Sequence, residues 1–202
     1  MPALEALLPR FLAANTQPLG VSVDSVYSHA NWGKSLGGVS FPLLADFHPK
    51  GALASSLGLY LEAKGITDRA TVIIDAAGIV RHASSVGPGG QRDIAELAAL
   101  CEEIDAGYDG DLPTRTQAPG VPDDAELFVK SNCGFSRAVL LARENLHLAG
   151  LSVRNVSENA EALARLEELT GGKQAPCLLT GSAPLLESKD IIAALVDAAA
   201  PL

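Results

Sequence analysis

The sequence predicts an α/β protein built as two units in tandem. Three observations carry this. Short apolar, strand-sized runs alternate with amphipathic helical stretches in both halves of the chain. Between the halves, residues 109–124 (DGDLPTRTQAPGVPDD) hold three prolines and two glycines with little apolar content, the composition of a linker. Beyond that segment, residues 125–202 spell a full β-α-β-α-β-β-α order within a domain-sized span. The expected division is therefore 1–108, a linker over 109–124, and 125–202.

In the first half, Pro18 to Asp24 (PLGVSVD) is a strand candidate and Ala70 to Asp75 (ATVIID) a stronger one. The latter passes through Ala76-Ala77-Gly78 into Ile79 to Ser85, which reads as a hairpin. Gly90 to Ala106 reads as a helix, with Ile94, Leu97, Leu100 and Ile104 at helical spacing. The second half runs strand (Ala125 to Val129), helix (Phe135 to Leu148), strand (Leu151 to Val156) and helix (Asn159 to Leu169). It finishes with a strand (Pro176 to Leu179), a Gly-Ser-Ala turn, a short strand (Pro184 to Leu186) and a helix (Asp190 to Ala198).

Composition narrows the function classes. The apolar fraction of 48% and charged fraction of 19% belong to a packed protein, not a disordered one. The net charge of −9 is shared: 8 basic against 13 acidic residues in 1–115 and 7 against 11 in 116–202, or −5 and −4. No basic stripe interleaves with aromatics, so nucleic acid is not an expected partner. No apolar run approaches membrane-spanning length, and the first residues lack the pattern of a signal peptide. A cytoplasmic location without membrane attachment is the expectation. Cys101, Cys133 and Cys177 are too far apart for a zinc cage and too few for a disulfide framework. His29, His48, His82 and His147 show no ligand spacing, so no metal site is expected.

The richest chemistry lies in Lys130-Ser131-Asn132-Cys133-Gly134-Phe135-Ser136-Arg137, between a strand and a helix. A cysteine at a helix N-terminus has its thiolate stabilised by unpaired N–H groups and the helix dipole, and Lys130 and Arg137 add positive charge. Raising the thiolate fraction at neutral pH is what thiol–disulfide exchange needs. Ser136 stands where a second cysteine would close a disulfide; it can donate a hydrogen bond to the thiolate instead. The plain alternative is that Cys133 is an unreactive thiol in a turn. Cys177, in the run Pro-Cys-Leu-Leu, reads as a small core residue on a buried strand; the sharper alternative brings it near Cys133 as a pairing or resolving thiol.

These residues resemble glutaredoxins, and the CGFS string is similar to the monothiol class. The resemblance covers roughly residues 125–200 and implies a thioredoxin-like unit that uses glutathione as co-substrate. It assigns Lys130 to the glycyl carboxylate of glutathione. Ala175-Pro176 falls at the cis-proline position that pairs with the cysteinyl part. Leu186-Glu187-Ser188 resembles the segment that receives the γ-glutamyl end, which assigns Glu187 and Ser188 to binding. Monothiol glutaredoxins that carry iron–sulfur clusters have a Trp-Pro motif and a Gly-Gly pair where this chain reads Gly172-Lys173-Gln174 and Leu186-Glu187-Ser188. Those departures weigh against cluster binding and favour glutathione-linked exchange.

In the first half, GVSVDS from Gly20, His29-Ala30-Asn31-Trp32 and FPLLAD from Phe41 resemble a peroxiredoxin of the alkyl hydroperoxide reductase type. RATVIID from Arg69, GIVRH from Gly78 and Gly90-Gln91-Arg92 continue the likeness to about residue 108. The resemblance implies a second thioredoxin-like unit, incomplete at its N-terminus, with Arg69 in a peroxide pocket. It also implies a helix over Met1 to Ala14. The peroxidatic cysteine would fall before Met1, and Cys101 lies in the closing helix as a bystander. The implied function is a glutathione-linked thiol–disulfide oxidoreductase acting on disulfide substrates through Cys133 and supporting peroxide reduction in a full-length setting. A homodimer through the peroxiredoxin-like half is also expected. The alternative class is non-enzymatic: a glutathione-dependent iron–sulfur carrier or a redox-regulated scaffold.

Overall fold

The computed structural model describes residues 1–112, 114, 118–181 and 183–199. Of the segments singled out above, residues 113 and 115–117 of the linker, residue 182 of the Gly-Ser-Ala turn and residues 200–202 of the second half lie outside these. Contacts divide the chain into two compact units, Met1–Trp32 with Phe41–Arg115 and Gly33–Ser40 with Thr116–Leu202.

The chain opens with helix α1 (Pro2–Ala13), where proline in the first turn suits a position with no intrahelical N–H bond to lose. Strand β1 (Gly20–Ser22) pairs in parallel with β2 (Leu43–Ala45), Gly20 opposite Leu43, with helix α2 (Val26–Ser35) between them in sequence. A short helix α3 (Ala52–Ser56) precedes the hairpin β3 (Tyr60–Leu61) and β4 (Ile66–Thr67). A second hairpin joins β5 (Ala70–Ile74) to β6 (Val80–Ser85) and bulges at Ile73/Ile74. Helix α4 (Ile94–Ala106) follows.

Asp75 makes the tight turn of the second hairpin. Its Oδ1 accepts from the N–H groups of Ala77 (3.0 Å) and Ile79 (2.9 Å), and Gly78 takes the left-handed φ of 80°. Backbone donation from Ile79, together with the Arg81 guanidinium, holds the Asp75 carboxyl below its ordinary value. Helix α4 starts later than the periodicity from Gly90 predicts. Asp93 caps it, accepting from Ala95 and Glu96 N–H at 3.0 Å each. Gly90 belongs instead to a turn so close that a Cβ there would meet the Val86 carbonyl.

Helices α1 and α4 form the core of this unit: Phe11, Ala14, Ala98 and Cys101 are buried, with Leu4, Leu7, Ile73, Ile94 and Leu97 against them. The Arg10–Glu102 pair joins the same helices at 2.8 and 2.9 Å, but on the surface. Such a pair contributes about 0–1 kcal/mol, so apolar burial is what holds the helices together. Among the described residues no ladder joins the β1–β2 pair to the β5–β6 pair.

The second unit contains a four-stranded sheet in the order β10-β9-β7-β8. Its elements are β7 (Glu126–Val129), α5 (Gly134–Asn145), β8 (Ser152–Asn155), α6 (Ala160–Thr170), β9 (Cys177–Thr180), β10 (Ala183–Leu185) and α7 (Ser188–Ala199). β7 and β8 are parallel, with Val129 opposite Asn155; β9 runs antiparallel to both β7 and β10. Helices cover both faces, which is why Leu127, Phe128 and Val129 of β7 form a continuous apolar run. Leu127 and Val129 pack with Val139, Ile191 and Leu195 of α5 and α7. Phe128, pointing the other way, packs with Ala162 and Leu166 of α6. Burying Phe128 and Leu127 completely stabilises the unit by roughly 2–3 kcal/mol each before conformational entropy is subtracted.

Most element boundaries of this unit shift by one to three residues from the expected ones, and three of the shifts show their cause. Helix α5 stops at Asn145 because His147 turns left-handed (φ 57°) and Leu148 N–H returns to the Arg143 carbonyl at 3.0 Å. Leu148 still packs on the core, which is why the helical spacing of apolar residues runs on through it. Strand β9 begins at Cys177, since Pro176 has no N–H for a ladder. Helix α7 begins at Ser188, with the Glu187 carbonyl accepting from Ile191 N–H at 2.8 Å.

Candidate functional site

The parallel pairing of β7 and β8 brings the C-terminal ends of both strands together, the usual place for ligand sites in α/β units. The chain leaves β7 at Lys130, turns left-handed at Asn132 (φ 57°) and enters α5 with Cys133 as the extended N-cap (φ −104°, ψ 120°). Asn tolerates that left-handed φ better than most side chains. The turn presents a half-buried Cys133 sulfur to the open end of the helix.

The Cys133 thiol is held below its ordinary value. The Ser136 N–H is the largest cause and the Ser136 hydroxyl the next; burial opposes them, and the Phe135 N–H and the Lys130 charge add smaller contributions. Ser136 is itself buried, and its Oγ accepts from the Lys130 N–H at 3.0 Å. The Cys133 Sγ lies 4.0 Å from the Ala175 carbonyl oxygen, and the Ala175–Pro176 peptide is cis. Phe135 is exposed beside the thiol.

Among the residues singled out in sequence, Cys133, Ser136, Lys130, Ala175 and Pro176 thus come together. Glu187 and Ser188 stand at the start of α7, and Glu187 accepts from the Gln174 Nε2 at 3.2 Å. That bond links the α7 start to the residue before Ala175. In sequence Gln174 stands only as part of the Gly172-Lys173-Gln174 departure, with no binding role assigned to it.

Cys177 is buried among Phe128, Leu166 and Leu179, and burial raises its thiol. All three cysteines are free. Cys101 lies in the α1–α4 core, its thiol likewise raised, with burial the main cause. Arg69 belongs to the first unit, where its Nη1 donates to the Gly90 carbonyl at 2.8 Å. Arg92 Nη1 donates to the Ala70 carbonyl at 3.1 Å. Burial and then Arg69 lower the Arg92 guanidinium, and burial, Arg92 and Arg69 lower the Met1 amino group. Three cationic groups therefore gather at the start of α1, with the unit's one cysteine in the core instead.

Residues 1–83 match the model of the AhpC/TSA family. The N-terminal part of this chain is an AhpC/TSA-family domain. Alkyl hydroperoxide reductase E of Mycobacterium tuberculosis is 38% identical over 86 residues, covering 43% of this chain and 56% of the relative. Peroxiredoxin 1 of Sulfuracidifex metallicus is 32% identical over 135 residues, covering 59% and 62%. Among solved structures, Mycobacterium bovis AhpC aligns at 26% identity with a TM-score of 0.48, over 56% of this chain and 64% of that one. The chain spans about half the length of the curated relatives it matches. Arg69, Arg92 and Cys101 stand in or beside this AhpC/TSA domain, whereas Cys133 and its partners lie beyond the matched residues. Among the described residues no helix is long and apolar enough to cross a membrane.

Proposed function

We propose that the chain is a glutathione-linked thiol–disulfide oxidoreductase in which Cys133 is the nucleophile, joined to a peroxiredoxin-type domain whose peroxide chemistry it supports in a full-length setting. The observation that carries this is the Cys133 thiol at the N-cap of α5, with the Ser136 and Phe135 donors on one side and the Ala175 carbonyl on the other. Helix geometry and hydrogen bonding favour the thiolate, the form that attacks disulfides.

In this reading the Cys133 thiolate attacks the glutathione sulfur of a mixed disulfide. The S–S bond breaks, the substrate leaves as a thiolate that takes up a proton, and Cys133 is left bonded to glutathione. A second glutathione thiolate then attacks that glutathione sulfur, releasing oxidised glutathione and restoring Cys133. Glutathione carries two carboxylates and an amino group. The Lys130 ammonium suits the glycyl carboxylate; the N-terminus of α7 with the Ser188 hydroxyl suits the γ-glutamyl carboxylate, and Glu187 its amino group. The backbone at Ala175–Pro176 suits the cysteinyl portion. Ser136 cannot close a disulfide, so the resolving thiol comes from solution.

Arg69 would act in the AhpC/TSA domain, where a guanidinium can stabilise a thiolate and polarise a peroxide O–O bond. Cys101, buried in the helix core, does not suit that role, so peroxide reduction by this domain's own pocket calls for a thiol supplied by a longer chain or a partner.

The deciding assay is glutathione-dependent reduction of a small mixed disulfide by the wild type, Cys133→Ser and Cys177→Ser. Turnover lost only in Cys133→Ser is the expected result; an inactive wild type sinks the oxidoreductase reading.

A further inference from the structure

Because Val129 and Asn155 are register partners in parallel strands, the loop leaving β7 and the turn leaving β8 run side by side. Val156 N–H extends the ladder by donating to the Val129 carbonyl at 2.9 Å. Beyond it, four side chains close a network. Ser131 Oγ donates to Glu158 Oε1 at 2.6 Å, and Asn155 Nδ2 donates both to Ser131 Oγ (2.8 Å) and to Glu158 Oε1 (2.7 Å). Ser131 N–H donates to Ser157 Oγ at 3.2 Å, and Ser157 N–H to Asn155 Oδ1 at 3.0 Å. All are polar and at the surface, so apolar burial does not account for them. What they share is the backbone on either side of Lys130: Val129 is fixed by the ladder and Ser131 by the network.

We propose that Glu158, acting through Ser131 and Asn155, is a positioning residue for the Cys133 thiol. Its carboxylate pins Ser131 and with it the Lys130–Ser131 peptide, which sets the path of the turn into Cys133 relative to the ladder-held Val129–Lys130 peptide, whose N–H meets Ser136 Oγ at 3.0 Å. With one lone pair engaged there, the Ser136 hydroxyl is turned to donate to the sulfur. Glu158 touches neither sulfur nor substrate. The proposal rests on the reading of Cys133 as a nucleophile.

Charge and positioning predict opposite signs. If Glu158 acted through space as a negative charge, removing it would favour the thiolate. If it acts by positioning, removing it loosens Ser131, weakens the Ser136 donation and disfavours the thiolate. The test is the pH profile of Cys133 alkylation by iodoacetamide, followed on the Cys133 peptide by mass spectrometry, in the full chain. Glu158→Ala is expected to move the midpoint to higher pH by about half a unit, a roughly threefold slower reaction below the midpoint. Glu158→Gln keeps an acceptor oxygen and is expected to restore most of the wild-type profile. Ser131→Ala, at an exposed position, gives an independent variant and the same upward shift. An unmoved or downward-moved midpoint in Glu158→Ala overturns the proposal, as does a Glu158→Gln profile identical to that of the alanine variant. Alkylation needs no glutathione. A shifted profile in a protein without mixed-disulfide turnover therefore sinks the glutathione reading alone, and an unshifted profile with normal turnover sinks this proposal alone.

Discussion

Lys130 and Ser136 are joined across the turn that presents Cys133: the Lys130 backbone N–H donates to the Ser136 hydroxyl oxygen at 3.0 Å. The same serine supplies the two strongest influences holding the Cys133 thiol low. One buried hydroxyl thus ties the strand end, the helix start and the sulfur into a unit.

Ser136→Ala removes a hydrogen bond to a charged sulfur, and such bonds contribute about 1.5–3 kcal/mol. After allowance for solvent around a half-buried thiol, the Cys133 titration should rise by about one pH unit. The variant also leaves the Lys130 N–H unpaired, at a stability cost of about 1–3 kcal/mol. Alkylation against pH and urea unfolding check the two effects separately. A titration unchanged by the substitution removes Ser136 from the site.

Cys133 also makes stability depend on pH, with a definite sign. Its folded thiol is held below the unfolded value, so ionisation favours the native state. The contribution is absent at low pH, grows as pH rises through the folded value, and is full above the unfolded thiol value of about 8.5. Cys101 and Cys177 are shifted the other way and are common to both proteins in a comparison of wild type with Cys133→Ser. The difference in unfolding free energy between the two should widen as pH rises from neutral to above the unfolded thiol value of about 8.5. A flat difference in urea titrations across that range contradicts the lowered thiol.

Cys177→Ser replaces a buried thiol with a hydroxyl among Phe128, Leu166 and Leu179. An unpaired hydroxyl there costs about 1–3 kcal/mol. The expected outcome is lower stability in urea with mixed-disulfide turnover per folded molecule retained. Loss of turnover at unchanged stability would instead make Cys177 a resolving thiol.

In the AhpC/TSA unit, β1–β2 and β5–β6 are separate two-stranded pairs among the described residues, and Val21, Leu44 and Ile74 on them are exposed. Unpaired strand edges with apolar side chains invite pairing with another chain. A homodimer through this half is the expected state at micromolar concentration. Sedimentation equilibrium showing only monomer rules it out.

Much of the second unit was legible from period alone. Leu127, Phe128 and Val129 read as a strand buried on both faces because both faces are covered, and Asn159 announces α6 by capping it, accepting from Glu161 and Ala162 N–H. The candidate nucleophile was legible too, since a cysteine between an apolar strand and an amphipathic helix has few places to go. Boundaries set by turn chemistry were not. The end of α5 depends on one left-handed histidine, and the start of α4 on an aspartate cap and a crowded glycine, none of which alters hydrophobic spacing.

By itself, then, the sequence determined the order of strands and helices, the core side chains of β7 and the placement of Cys133 at a helix start. These are local or periodic properties, carried by residues near one another in the chain. Only the tertiary structure decided that Ser131 meets Glu158, that Gln174 reaches Glu187 and that Cys133 faces the Ala175 carbonyl. Those pairs are 27, 13 and 42 residues apart. Their meeting follows from strand register and sheet order, which arise from packing the whole unit and leave no periodic trace in the chain.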